Sequence, residues 1–257
     1  MEELAAFAQE LAQTARAETL HRQGCTAENK AESGFDPVTE ADRSAEQAMR
    51  RLISKRFPDH GIKGEEWPER QGSSDYSWSL DPIDGTRSYI CGLPTWTTLI
   101  ALLNRDLPVL GLIDAPCLDE TYFGFGTEAC LLRCGERRSI STSGCSRIAD
   151  ARLSTTDPFL FDDASFAAFD RLRREAQTER YGHDGYAYAR LAAGGLDLIV
   201  ESGLKPHDYN PLIPLISAAG GVVGDWRGGQ DYDGGKMIAA STRGLFEEAL
   251  GYFEALA

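Results

Sequence analysis

From Leu93 to Leu103 the chain reads Leu-Pro-Thr-Trp-Thr-Thr-Leu-Ile-Ala-Leu-Leu, with no charged side chain. An apolar run of this kind predicts a long buried strand. Asn104-Arg105-Asp106 then marks a hairpin turn into a second strand, Leu107 to Ala115. Glu120 to Phe125 and Cys130 to Arg133 predict further antiparallel strands. Upstream, Leu4, Phe7, Ala8, Leu11 and Ala15 recur at helical spacing, as do Ala45, Met49, Leu52, Ile53 and Phe57. Two helices followed by a meander make an α+β sandwich.

The composition shifts over Arg137 to Ala149, which is rich in Ser, Arg and Gly. We place a boundary there, between an N-terminal half, 1–145, and a C-terminal half, 146–257. Beyond it strands and helices alternate. Arg152–Thr155 and Leu196–Glu201 read as strands, Ala164–Gln177 and Tyr186–Ala193 as helices, which suggests an α/β layer. The stretch from Leu204 to Gly221 predicts a buried helix entered at Asp208 and closed by Gly220-Gly221, with Pro214 costing it a hydrogen bond and kinking it. Val222-Val223 and Met237–Ala240 are the last expected strands, and Leu245, Phe246, Ala249, Leu250 and Phe253 give a closing helix. No internal repeat is evident.

At 257 residues the chain can bury a full core, as one large domain or two packed halves. Net charge is −14, from 40 acidic against 26 basic residues, which argues against a nucleic-acid binder. No apolar run approaches membrane-spanning length. Met1-Glu2-Glu3-Leu4 lacks the character of a signal peptide, so a cytoplasmic location is expected. Cys25, Cys91, Cys117, Cys130, Cys134 and Cys145 are irregularly spaced and read as reduced thiols without a zinc pattern. The histidines, His21, His60, His183 and His207, show no ligand spacing; His207 adjoins Asp208 but is assigned no chemistry.

The densest chemistry is at Leu80-Asp81-Pro82-Ile83-Asp84-Gly85-Thr86-Arg87-Ser88-Tyr89. Tyr76 to Leu80 predicts a strand that runs into Asp81 and stops at Pro82. Asp84-Gly85-Thr86 predicts a turn opening a short helix. Two carboxylates three positions apart at a strand end can face one cavity, as a hard divalent cation requires. N–H groups at the helix start, around Gly85 and Thr86, would face an anion. The competing reading is that Asp-Pro and Asp-Gly simply form turns. Three other segments carry two readings each. Thr39 can cap the second helix with Asp42 completing a capping box. Glu65-Glu66, after the turn-forming Gly61 and Gly64, can be plain surface residues, and Asp208 a plain N-cap.

Asp81-Pro82-Ile83-Asp84-Gly85-Thr86 resembles the signature of the inositol monophosphatase superfamily of magnesium-dependent phosphatases. The resemblance implies a layered αβαβα sandwich of the inositol monophosphatase and fructose-1,6-bisphosphatase type. It makes Glu65, Asp81, the Ile83 carbonyl, Asp84 and Asp208 metal ligands, with Glu66 behind that set or on a third ion. It makes Gly85 and Thr86 the phosphate cradle. Asp42, in Val38-Thr39-Glu40-Ala41-Asp42, would pair with Thr86, which removes a proton from the attacking water together with Glu65. Carboxylates gathered this way repel one another until cations join them, and all-oxygen ligation selects Mg2+, or Mn2+, over zinc. Two or three ions per site, a homodimer and a small-molecule phosphate ester follow from the same resemblance. Lys30 or its loop, read as polar from Lys30 to Phe35, is a further candidate near the phosphate.

Within the superfamily the flanks are similar to the histidinol-phosphatase branch. The matching segments are Arg87 to Trp96, Asp114-Ala115-Pro116, Gly182 to Tyr188, His207-Asp208-Tyr209 with Leu212-Ile213-Pro214, and Ser33 to Asp42. Asn210-Pro211 departs from the small apolar residues expected there, which leaves the substrate end open. Glu201, at a strand end before the Asp208 helix, is either an exposed strand-end residue or a contact to an amine or imidazolium. Three functions remain in play: histidinol-phosphate phosphatase, a broader inositol- or sugar-phosphate phosphatase, and a non-catalytic phosphate-binding protein.

Overall fold

The computed structural model describes residues 1–24, 26–29 and 37–256. The expectations for Cys25, for Lys30 and its loop, and for Ser33 to Asp36 lie outside the described residues. Chain order is α1 (Glu2–Thr19), β1 (Ala27–Asn29), β2 (Pro37–Thr39), α2 (Glu40–Arg56), β3 (Gly61–Gly64), β4 (Tyr76–Asp84), α3 (Thr86–Ile90), β5 (Thr97–Asn104), β6 (Leu107–Ala115), β7 (Glu120–Phe125), β8 (Glu128–Arg133) and β9 (Glu136–Ser139). There follow β10 (Arg152–Thr155), α4 (Asp163–Glu175), β11 (Thr178–Tyr181), α5 (Asp184–Ala192), β12 (Leu198–Glu201), α6 (Pro206–Ala218), β13 (Val222–Gly224), β14 (Met237–Ala240) and α7 (Arg243–Leu250).

Strands β3 to β9 form one seven-stranded sheet in sequence order, antiparallel except for the parallel pair β3/β4. The second sheet has order β11-β10-β12-β14-β13. Alternation along each strand divides the core into layers. Trp78 and Leu80 of β4, Ile100 and Leu102 of β5 and Leu110 and Leu112 of β6 pack against Phe7, Leu11, Met49 and Ile53 of α1 and α2. The neighbouring residues Leu99 and Ile113 point the other way, onto α5 and α6, which also bury Ile199, Met237 and Ala239 of the second sheet. Leu198, Val200, Ile238 and Ala240 face the outer helices α4 and α7. Five layers result, α1/α2, sheet, α5/α6, sheet, α4/α7, as the resemblance implies.

Two local expectations are corrected, and one strand is added. β4 does not stop at Pro82 but continues to Asp84. Asp81 pairs with Leu99 and Asp84 with Thr97, so the strand carries an extra residue there. Proline is tolerated at such a bulge because its missing N–H breaks no ladder bond, and Thr98 Oγ1 donates to the Pro82 carbonyl at 2.8 Å. β5 begins at Thr97 rather than Leu93, after a turn. The short strand β11 was not anticipated; its residues Thr178–Tyr181 are half-buried or exposed and carry no apolar alternation.

Candidate active site

The parallel pairing of β3 with β4 sets Gly64 opposite Leu80. The chain leaves β3 with the Glu65 N–H donating to the Leu80 carbonyl at 3.2 Å. Glu65 therefore stands beside Asp81, at the carboxyl ends of two parallel strands. Asp81 is 2% exposed, and its Oδ1 accepts the Ile83 N–H at 3.0 Å, which holds the bulge in shape. Past the bulge Asp84 turns toward the same side. Its Oδ2 accepts from Thr97 Oγ1 at 3.1 Å and from the Gly185 N–H at the start of α5.

Asp208 arrives from the other half of the chain. It is the third residue of α6, not its N-cap; Lys205 is the cap, and its N–H donates to Asp208 Oδ2 at 2.7 Å. Carboxylate oxygens of Asp81, Asp84 and Asp208 lie within 4.8 Å of one another, and atoms of Glu65, Asp81 and His207 form a second such group. Burial pushes the Asp81 and Asp84 carboxyls well above the usual carboxylate range; repulsion from Glu65, Asp84 and Asp208 adds to it at Asp81, and from Asp184 and Asp208 at Asp84. Asp208 is raised too, first by burial. A donor set of converging carboxylates that resist ionising together is what a hard divalent cation relieves, so the residues fit one.

Gly85 links the metal end to a cavity. Its φ of +81° is a left-handed conformation that favours glycine, and a Cβ there would come within 2.6 Å of Asp184 Oδ2. From Gly85 the chain enters α3 at Thr86, whose hydroxyl donates to the Ile83 carbonyl at 3.1 Å. The cavity, about 310 Å³, has Asp84, Asp184, Glu201 and Asp208 in its lining together with the cation Arg87, Gly85 and Thr86 at the start of α3, and Leu160 and Leu204 as its apolar wall.

Asp42 forms the expected capping box: its Oδ2 accepts the Thr39 N–H at 2.8 Å and the Thr39 hydroxyl at 2.5 Å. The hydrogen bond to Thr86 is not made. Asp42 Oδ1 is buried without a hydrogen-bond partner among the described residues. Burial raises the Asp42 carboxyl to about 6; the Thr39 bonds oppose the rise and Glu65 adds to it.

Glu201 is not an exposed strand-end residue. It is 2% exposed; Oε1 accepts the Thr156 N–H at 2.6 Å and the Thr156 hydroxyl at 2.9 Å, and Oε2 the Thr155 hydroxyl at 3.2 Å. Burial lifts its carboxyl to about 8 against those bonds. Asn210 does not line the cavity. It is 6% exposed and its Nδ2 donates to Ser79 Oγ at 3.2 Å, tying α6 to β4.

Sequence reasoning assigned no role to two residues of the site. His207 joins Glu65 and Asp81, with Nε2 3.5 Å from Asp208 Oδ1. Asp184, in a left-handed conformation at φ +45°, faces Gly85 and lies 3.4 Å from Ser88 Oγ. The Asp184-Gly185 dipeptide was a visible turn signal, but nothing local said that the turn meets Gly85 from the opposite half.

The inositol monophosphatase family profile matches residues 1–256. The chain is 48% identical over 196 residues to the chloroplastic bifunctional phosphatase IMPL2 of Arabidopsis thaliana, a match covering 76% of this chain and 56% of that protein. It is 35% identical to a histidinol-phosphatase of Chlorobaculum parvum, over 80% of this chain and 79% of the relative. Among solved structures it is similar to an inositol monophosphatase from Zymomonas mobilis, with a TM-score of 0.85, 36% identity and 98% of each chain covered.

Proposed function

The chain belongs to the inositol monophosphatase family of metal-dependent phosphatases, and we propose that within it the chain hydrolyses a phosphate monoester with a cationic alcohol portion, L-histidinol phosphate above all. The observation that carries the choice is acidity left over. Asp81, Asp84, Asp208 and Glu65 suffice for metal, yet Asp184 and Glu201 also line the cavity. A neutral polyol gains little from a further carboxylate at Asp184; Glu201 keeps its proton up to about 8 and adds no charge. An amine or imidazolium gains a charge-assisted partner, and the Leu160–Leu204 wall suits the carbon face of a ring. The likeness to a histidinol-phosphatase points the same way. The likeness to an inositol monophosphatase supports the second reading, an inositol- or sugar-phosphate phosphatase.

In this reading Glu65, Asp81, the Ile83 carbonyl, Asp84 and Asp208 would hold two or three magnesium ions, or manganese, in a cytoplasmic homodimer. Bound magnesium supplies Lewis acidity, neutralising the phosphate and easing ionisation of the attacking water. The N–H groups at Gly85 and Thr86 orient the phosphate for in-line attack. Thr86 Oγ1 would take a proton from the water as its own hydroxyl proton passes to the unsatisfied Asp42 Oδ1, a buried acceptor. Water oxygen bonds to phosphorus, the ester P–O bond breaks and the leaving alcohol oxygen takes its proton from solvent water. Asp184 and Glu201 meet the far end of the substrate.

A panel of histidinol phosphate, inositol 1-phosphate, fructose 1,6-bisphosphate and adenosine 3',5'-bisphosphate with magnesium tests this. We expect kcat/KM for histidinol phosphate to lead by at least about tenfold, the effect of one lost charge-assisted contact. Asp184→Asn should narrow that lead while sparing inositol 1-phosphate. Equal rates across the panel would favour the broader phosphatase, and no phosphate release would return the non-catalytic reading.

A further inference from the structure

We propose that Glu46 and Arg50 of α2 are positioning residues for Glu65, setting the metal-binding geometry from behind the loop; the proposal rests on the reading of Glu65 as a metal ligand. Asp42, Glu46 and Arg50 follow one another at four-residue spacing and so share a face of α2. That face looks onto the segment after β3. Glu46 is fully buried, and its Oε2 accepts the Glu66 N–H at 2.7 Å. Its Oε1 is paired with Arg50 Nε at 2.6 Å. Arg50 then reaches past Glu46 with both terminal nitrogens: Nη2 donates to the Trp67 carbonyl at 2.8 Å and Nη1 to the Pro68 carbonyl at 3.0 Å. Gly64 completes the fit, because a Cβ there would collide with Glu46 Oε1.

Every outward bond of the pair ends on main chain of residues 66–68. The backbone of Glu65 is thus held on both sides, by Leu80 of β4 at its own N–H and by Glu46 at the next one. Helix α2 does not need the pair for its own anchorage, since Ala45, Met49 and Ile53 are already buried against α1 and the sheet. A buried ion pair is a poor source of stability compared with apolar side chains of similar volume. What it supplies is direction: a charged acceptor and a planar, forked donor fix the loop in one register. The carboxylate one residue away is then aimed at Asp81 before any ion arrives.

Manganese binding by calorimetry, together with amide hydrogen exchange of the metal-free protein, tests the proposal on wild type, Glu65→Gln, Glu46→Gln and Arg50→Lys. In Arg50→Lys, which keeps the charge but loses the fork, we expect faster exchange over 66–68. Manganese affinity should fall roughly tenfold, the low end for losing an outer support of a ligand, with kcat unchanged at saturating manganese. Glu46→Gln should behave alike; should it fail to fold, Arg50→Lys carries the test, since its side chain is 15% exposed. Faster exchange with undiminished affinity would reduce the pair to a loop tie and overturn the proposal, as would unchanged exchange. Undiminished affinity in Glu65→Gln would overturn the ligand reading itself, which separates that failure from this one.

Discussion

Asp42 illustrates how far a single residue can be read from sequence. The Thr39–Asp42 capping box was legible because N-cap and N3 are three positions apart and the box is local. The orphaned Oδ1 was not, because its burial depends on packing by segments distant in the sequence. Glu201 shows the same limit: a strand-end glutamate looks exposed until Thr155, the last residue of the neighbouring strand β10, and Thr156 just beyond it close on it. Its burial has a consequence for pH. The folded protein holds a proton on Glu201 up to about 8, whereas the unfolded chain releases it near the ordinary value of 4.5. The folded state binds more protons in that window, so this group's contribution makes stability fall as pH rises from 4.5 to about 8 and level off beyond. Glu201→Gln should remove that slope and raise the melting temperature more at pH 8 than at pH 5, measured by thermal unfolding in chelator. At the metal end, Asp84→Asn should lower kcat by more than about a hundredfold, beyond the loss expected from an indirect support of a ligand, with the fold kept as judged by circular dichroism.

Among the elements, α6 decides most. It brings Asp208 to Asp81 and Asp84, and it lies close to the seven-stranded sheet because two sheet residues are glycines. A Cβ on Gly124 would stand 2.7 Å from Leu215 Cα, and one on Gly111 would collide with the Pro211 carbonyl. Pro211 and Pro214 lie inside the helix, so it forgoes two of its own N–H groups. Gly124→Ala should therefore lift α6, costing about 1–3 kcal/mol as an overpacked contact, seen in urea unfolding, and weakening metal binding through Asp208. The strands β6, β7 and β14 were readable from their apolar runs. The continuation of β4 through Pro82 was not, because a proline in a strand is permitted by the bulge and by Thr98, both of which are long-range features.

At the scale of the whole molecule, five layers followed from the family resemblance, while the meeting of Asp184 with Gly85 required both halves in place. The chain carries a net charge of −14 and concentrates several carboxylates in one cleft. Cations that bind only the folded form should stabilise it by about 2.7 kcal/mol per site at a hundredfold excess over the dissociation constant. A magnesium titration of the urea midpoint measures this, and Asp84→Asn should blunt it. The position of α6 between the sheets also has a kinetic side. Asp81 and Asp84 belong to a meander of neighbouring strands, but Asp208 reaches them only after the chain has closed a loop of more than a hundred residues. Such distant closure is slow compared with forming a hairpin. During refolding from denaturant, β-sheet signal should therefore return ahead of phosphate release, and the enzyme should pass through an interval in which it is nearly complete and still inert.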